Sequence, residues 1–147
     1  MNRFLKLTCV LLALVLILSI PAKAVENGNP RASYFFIKSC VTLCEISGSY
    51  FEAWFDVTGT GIMDEIGVSF IKIQRSSDCT NWTTVCTYTK ESYPSLITRN
   101  TANHTAGLSY VGTEGYYYRA HIQLYAKNSN GMGTMNEYTA PIYIPRT

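Results

Sequence analysis

Gly115-Tyr116-Tyr117-Tyr118-Arg119-Ala120-His121-Ile122-Gln123-Leu124-Tyr125-Ala126-Lys127-Asn128 decides the fold of this chain. From Tyr118 onward the stretch alternates without interruption. Tyr118, Ala120, Ile122, Leu124 and Ala126 share one phase, while Arg119, His121, Gln123, Tyr125 and Lys127 share the other. A period of two over that length marks a strand with one buried and one wet face. Such a strand belongs in an antiparallel sheet, where a slip of one residue would drive the charged set into the core.

The flanking sequence supplies partners for it. Upstream, Gly112-Thr113-Glu114-Gly115 turns the chain, and Thr105 to Val111 reads as another strand with Leu108 and Tyr110 inward. Downstream, Asn128 to Gly133 reads as a hairpin loop, and the last strand spans Met135 to Ile144. Its inward phase holds Tyr138, Ala140, Ile142 and Ile144, and Pro141 and Pro145, which cannot donate to a ladder, place it at an edge. Tyr34 to about Ile46 forms a first strand, joined across Ser47-Gly48-Ser49 to a second, in which Phe51, Ala53, Phe55 and Val57 point inward. Gly59-Thr60-Gly61 then breaks the pattern at a corner between sheets, where Asp64 and Glu65 read as solvated charges. Gly67 to Gln74 is apolar in both phases, as in a central strand or one bulged between Phe70 and Ile71. Trp82 to Tyr88 forms the next strand, and Lys90 to Asn103 offers only a short strand or packed loop at Leu96 and Ile97.

About seven strands with turn signals between them form an immunoglobulin-like, or fibronectin-type-III-like, antiparallel β-sandwich. Tyr116 or Tyr118 stands where such folds place a phenol that bonds back over the preceding turn. Neither the second strand nor the long one carries a cysteine, which favours a fibronectin-type or bacterial immunoglobulin-like arrangement over the antibody type.

The N-terminus reads as a signal peptide. Arg3 and Lys6 precede an apolar run from Leu7 to Ile20, shorter than the about 20 residues of a membrane span. Ala22-Lys23-Ala24 then offers a small-residue cleavage site. The chain divides into a leader at 1–24, a flexible lead-in at 25–32 and one sandwich domain at 33–147. Of 147 residues, 12 are Lys or Arg and 10 are Asp or Glu, a net of +2. Arg3, Lys6 and Lys23 leave with the leader, so 9 basic residues face 10 acidic ones, a net of −1. The basicity belongs to export, which argues against a nucleic-acid partner, and the sequence after the leader holds no second long apolar run to meet a membrane.

Cys9 leaves as well, and Cys40, Cys44, Cys79 and Cys86 remain. Cys79 and Cys86 flank a hairpin turn and are expected to pair, with free thiols the alternative in a source that lives without oxygen. Cys40 and Cys44 cannot pair within one strand, because four strand steps separate Cα atoms by about 13 Å and a disulfide tolerates about 7 Å. Their spacings suit zinc poorly, so no metal or other cofactor is expected.

No catalytic constellation stands out. His104 and His121 are the two histidines; His104 sits near a turn and His121 lies on an outward, solvated phase. No G-x-S-x-G motif or phosphate-cradling loop is present. The chain reads as a non-catalytic module, with a small hydrolase or toxin built on Lys90 to Asn103, or a structural matrix component, as alternatives. Its 11 tyrosines are the compositional signal. Tyr110, Tyr118 and Tyr138 fall on inward phases, whereas Tyr50, Trp54, Tyr117, Tyr125 and Tyr143 fall on outward ones. Outward aromatics offer contact area at low entropy cost and form the candidate binding set, facing a protein or glycan at a cell surface.

Several stretches together resemble a family of small secreted proteins of clostridia and other Firmicutes. They are Gly59 to Gly67, Ile71-Lys72-Ile73-Gln74 with Trp82, His104 to Gly112, and Tyr125-Ala126-Lys127-Asn128. The resemblance covers roughly Pro30 to Gly131. It implies export from a Gram-positive bacterium and a β-sandwich, in a family whose function is unassigned and which brings no site residues with it. The four cysteines depart from the family's pattern.

Overall fold

Two antiparallel sheets pack face to face in the computed structural model, which describes residues 35–146. The leader at 1–24 and the lead-in at 25–32 lie outside the described residues. One sheet has the order β1-β2-β6, built from Ile37–Ser47, Tyr50–Met63 and Thr101–Val111. The other has the order β4-β3-β7-β8, from Thr83–Thr89, Glu65–Ser76, Tyr117–Asn128 and Gly131–Tyr138. Two short strands complete it, β5 (Ile97–Thr98) beside β3 and β9 (Ile142–Tyr143) beside β7.

The alternation of β7 is realised residue by residue. Tyr118, Ala120, Ile122, Leu124 and Ala126 are fully buried. They meet Phe51, Ala53, Phe55 and Val57 of β2, the second strand read from its alternation. β3 adds Ile66, Val68, Ile71 and Ile73 to the same core. Each large side chain so buried stabilises the fold by about 1.5–3 kcal/mol, before the cost of ordering it. Tyr118 lies between Phe51 and Tyr110, with ring centroids at 5.7 and 6.0 Å. Its hydroxyl accepts the Thr113 N–H at 2.8 Å, so the phenol bonds back over the turn that feeds β7.

Four expectations are corrected. The seven strands become nine among the described residues, because the stretch from Lys90 contains β5 and the last strand divides. β2 does not end at the glycines. It continues through Gly59 and Gly61 to Met63 by a register shift between Thr58 and Met63, which tightens the corner to Asp64 alone. The bulge in β3 falls at Ser69, between Val68 and Phe70, one place earlier than the apolar pattern suggests. Ser69 occupies it by donating to Oε1 of Gln123 at 2.6 Å, while its carbonyl accepts the Lys90 N–H at 3.0 Å. Finally, β8 and β9 differ in phase. Gly133 and Thr139 are buried before Pro141, and Ile144 after it. Pro141 has no N–H, so the ladder stops there and restarts one residue out of step. Tyr138, expected in the core, is therefore 52% exposed.

The cysteines also differ from expectation. Cys40, Cys44, Cys79 and Cys86 are all free thiols. Cys86 pairs in register with Ile73 and packs against the core. Cys79 sits exposed in the turn with φ 59°, a left-handed conformation. That turn is organised by Asp78, whose Oδ1 accepts from the Thr80 and Asn81 N–H groups, both at 2.8 Å. These bonds hold the Asp78 carboxyl well below the usual carboxylate range.

Candidate functional site

The five outward aromatics fall in three different places. Tyr50 and Trp54 lie on the outer face of the β1-β2-β6 sheet, both exposed. Tyr117 and Tyr143 face each other across β7 and β9 with ring centroids at 4.9 Å. Tyr125 is a correction: it is only 6% exposed. β5 docks on β3 opposite Tyr125's own partner Gly67, and the segment around it closes over the ring. Lys90 Nζ lies 4.0 Å from the Tyr125 ring centroid, and the phenol donates to Oε2 of Glu65 at 3.2 Å. Gly67 permits this closure. Its φ is +148°, and a Cβ there would collide with the Leu96 carbonyl oxygen.

Glu65 is thus not a solvated corner charge, because Arg99 also pairs with it at 3.1 Å. With Lys90, Glu91, Ile97 and Arg99 it lines a groove of about 470 Å³ along the segment considered for a hydrolase site. No histidine lines that groove. His104 lies beside the neighbouring turn, where its Nε2 is 2.8 Å from the Ser95 carbonyl and its ring meets the edge of Phe55. Among the described residues no three His, Cys, Asp or Glu side chains are grouped to hold a metal ion.

The outer face of the larger sheet carries aromatics that the sequence does not group. The Arg119 guanidinium sits 4.2 Å from Trp82 and 4.8 Å from Tyr138. His121 stacks on Tyr138 at 4.3 Å and meets Phe70 edge-on at 5.1 Å, with its Nε2 3.0 Å from Oδ1 of Asn136. His121 is therefore a packed ring and not a solvated imidazole. Lys72 lies 4.7 Å from the Phe70 ring. These rings are partnered by the protein's own cations and by each other, which rigidifies the sheet.

Trp54 is different. It stands opposite Leu43 of β1 and Gly107 of β6 in the sheet register. A Cβ on Gly107 would lie 2.6 Å from two indole carbons, so the glycine is what lets the ring lie down on β6. An aromatic ring covering an edge-strand glycine protects that edge, and it also presents its other surface outward. Trp54 is 41% exposed and has no ring or cation partner among the described residues. Val41, Leu43, Glu45, Asp56 and Thr105 complete a groove of about 250 Å³ beside it. Thr105 donates to Oδ2 of Asp56 at 2.9 Å and fixes that carboxylate at the groove's end. The apolar wall formed by Val41 and Leu43 is absent from the sequence-derived set, in which the cysteines dominate the reading of the first strand. Its signal is the outward phase of Val41 and Leu43, opposite Cys40, Thr42 and Cys44.

No protein-family model matches the chain, and no curated protein matches it.

Proposed function

We propose that this chain is an exported, non-catalytic binding module of fibronectin-type build, whose recognition face is the outer surface of the β1-β2-β6 sheet. Its partner is a glycan or a protein at a cell surface. One observation carries the reading: a tryptophan laid flat over Gly107, unpartnered on its outer side, beside a groove of apolar and carboxylate side chains. An aromatic plane on a rigid sheet is a preformed contact surface, so little entropy is lost when a partner covers it. The leader-like N-terminus and the resemblance to secreted Firmicutes proteins support export. The fourth strand lies beside β3 and not with β1 and β2, which supports the fibronectin-type build.

The test is a screen of the purified protein against arrayed cell-wall and host glycans and against surface proteins, with Trp54→Ala in parallel. Binding that the wild type shows and Trp54→Ala loses is the expected result. Absence of any binding at high micromolar concentration in both screens overturns the reading, as does binding that Trp54→Ala leaves unchanged.

A further inference from the structure

We infer, resting on that reading, that the Trp54 groove takes a protonated amino sugar: the pyranose ring stacks on the indole and its ammonium lies at Glu45 and Glu52. The groove is lined by Trp54 together with Val41 and Leu43 of β1. The sheet register puts Leu43, Trp54 and Gly107 in one row across the three strands. The next row on the same face is Glu45, Glu52 and Ser109, and the row on the other side is Val41, Asp56 and Thr105. Successive rows on one face are about 7 Å apart, within reach of a substituent on a ring centred over the indole.

Charge selects the occupant. Glu45 and Glu52 are directly opposite each other on β1 and β2. Like charges in that position repel and destabilise a sheet. No basic side chain lines the groove, and the ion pair between Arg99 and Glu65 lies away from it, at the β3 end of the other sheet. A cation bound there removes the repulsion, while the ring that carries it covers the indole. Shape then separates a sugar from a peptide. The groove is a flat, open plane without an enclosing cage, which suits a rigid ring. A lysine side chain would give up to about 2 kcal/mol of rotamer freedom to be held on it. Asp56, fixed by Thr105, stands at the opposite end as an acceptor for a ring hydroxyl.

The experiment uses protein expressed from its full sequence and follows tryptophan fluorescence and calorimetry with three probes. These are a β-linked glucosamine oligomer, its N-acetylated counterpart and oligolysine of matched charge, at low salt and at about 1 M salt. The variants are Trp54→Ala, Gly107→Ala, which lifts the indole without removing it, and Glu45→Gln with Glu52→Gln. The glucosamine oligomer is expected to bind at least roughly tenfold more tightly than the acetylated one, about 1.4 kcal/mol. That advantage should vanish in the double glutamine variant and in high salt, and both tryptophan-site variants should abolish binding. Equal affinity for the acetylated oligomer, or for oligolysine, overturns the inference, as does an unaffected double glutamine variant. If the glucosamine oligomer fails to bind while the glycan or protein screen yields a Trp54-dependent partner, the ligand class falls and the binding module stands. If both fail, both fall.

Discussion

Thr139 is a buried polar side chain whose bonds join the two sheets. Its Oγ1 accepts the Ala120 N–H at 2.9 Å and the Cys44 S–H at 3.1 Å, using both lone pairs of one hydroxyl. Its own N–H donates to the Ala120 carbonyl at 3.0 Å. The side chain thereby stands in for a ladder bond where Pro141 stops the strand. Cys44 is in turn shielded: burial pushes its thiol up to about 11, and the Thr139 bond only partly offsets that. Cys79, exposed in its turn, has no such cover. Since the thiolate is the nucleophile, alkylation of the native protein near neutral pH should modify Cys79 within minutes and leave Cys44 largely unmodified. Peptide mapping under non-reducing conditions reads both that order and the absence of a Cys79–Cys86 crosslink. Faster labelling of Cys44 than of Cys79, or a linked peptide, contradicts the arrangement.

At the scale of the element, the turn before β7 depends on one phenol. Tyr118→Phe keeps the ring between Phe51 and Tyr110 but removes the acceptor for the Thr113 N–H. The expected cost is about 1 kcal/mol in a urea titration with the m-value unchanged. A neutral result would mean that water replaces the phenol at that amide. The strand that carries Tyr118 is legible in the sequence because every second residue repeats one chemical choice, and β2 is legible for the same reason. The illegible features depend on something distant in sequence. Tyr125 keeps the outward phase of its strand and is buried nonetheless, because β5 and Lys90 arrive over that end of the sheet. Tyr138 keeps its place in an apparently continuous strand, yet the step at Pro141 reverses which side it faces. Cys79 and Cys86 are near in sequence, but Cys79 lies exposed in a left-handed turn while Cys86 packs against the core from its strand. Of the candidate site, Trp54 and Tyr50 can be found by phase. The glycine that seats the indole lies on β6, and only strand pairing places it there.

For the molecule as a whole, a group of protonated side chains packed in or around the core makes the sandwich sensitive to alkali. Burial raises Cys40, Cys44, Tyr88, Tyr110 and Tyr125 above their ordinary values. Neighbours add to this: the Glu137 carboxylate at Cys40, Cys86 at Tyr88, Tyr118 at Tyr110, and Glu65 at Tyr125. Each group holds its proton in the folded state at a pH where the unfolded chain has released it. The folded state then binds more protons than the unfolded one, and stability falls as pH rises. The contribution is complete below the unfolded values, about 8.5 for cysteine and about 10 for tyrosine, and is lost as pH climbs through the folded ones. Cys40 and Cys44 therefore govern the first part of the decline, Cys44 up to its folded value of about 11, and the tyrosines govern the remainder. Urea midpoints measured across this range should fall steadily with little change in m-value. Cys40→Ala combined with Cys44→Ala, which removes both raised thiols and leaves small apolar side chains, should delay the onset by about one pH unit, toward the tyrosine range. A midpoint that stays level between about pH 8 and about pH 11 contradicts the account. So does an early decline that the double alanine variant leaves in place, which would move the alkali-sensitive step away from β1.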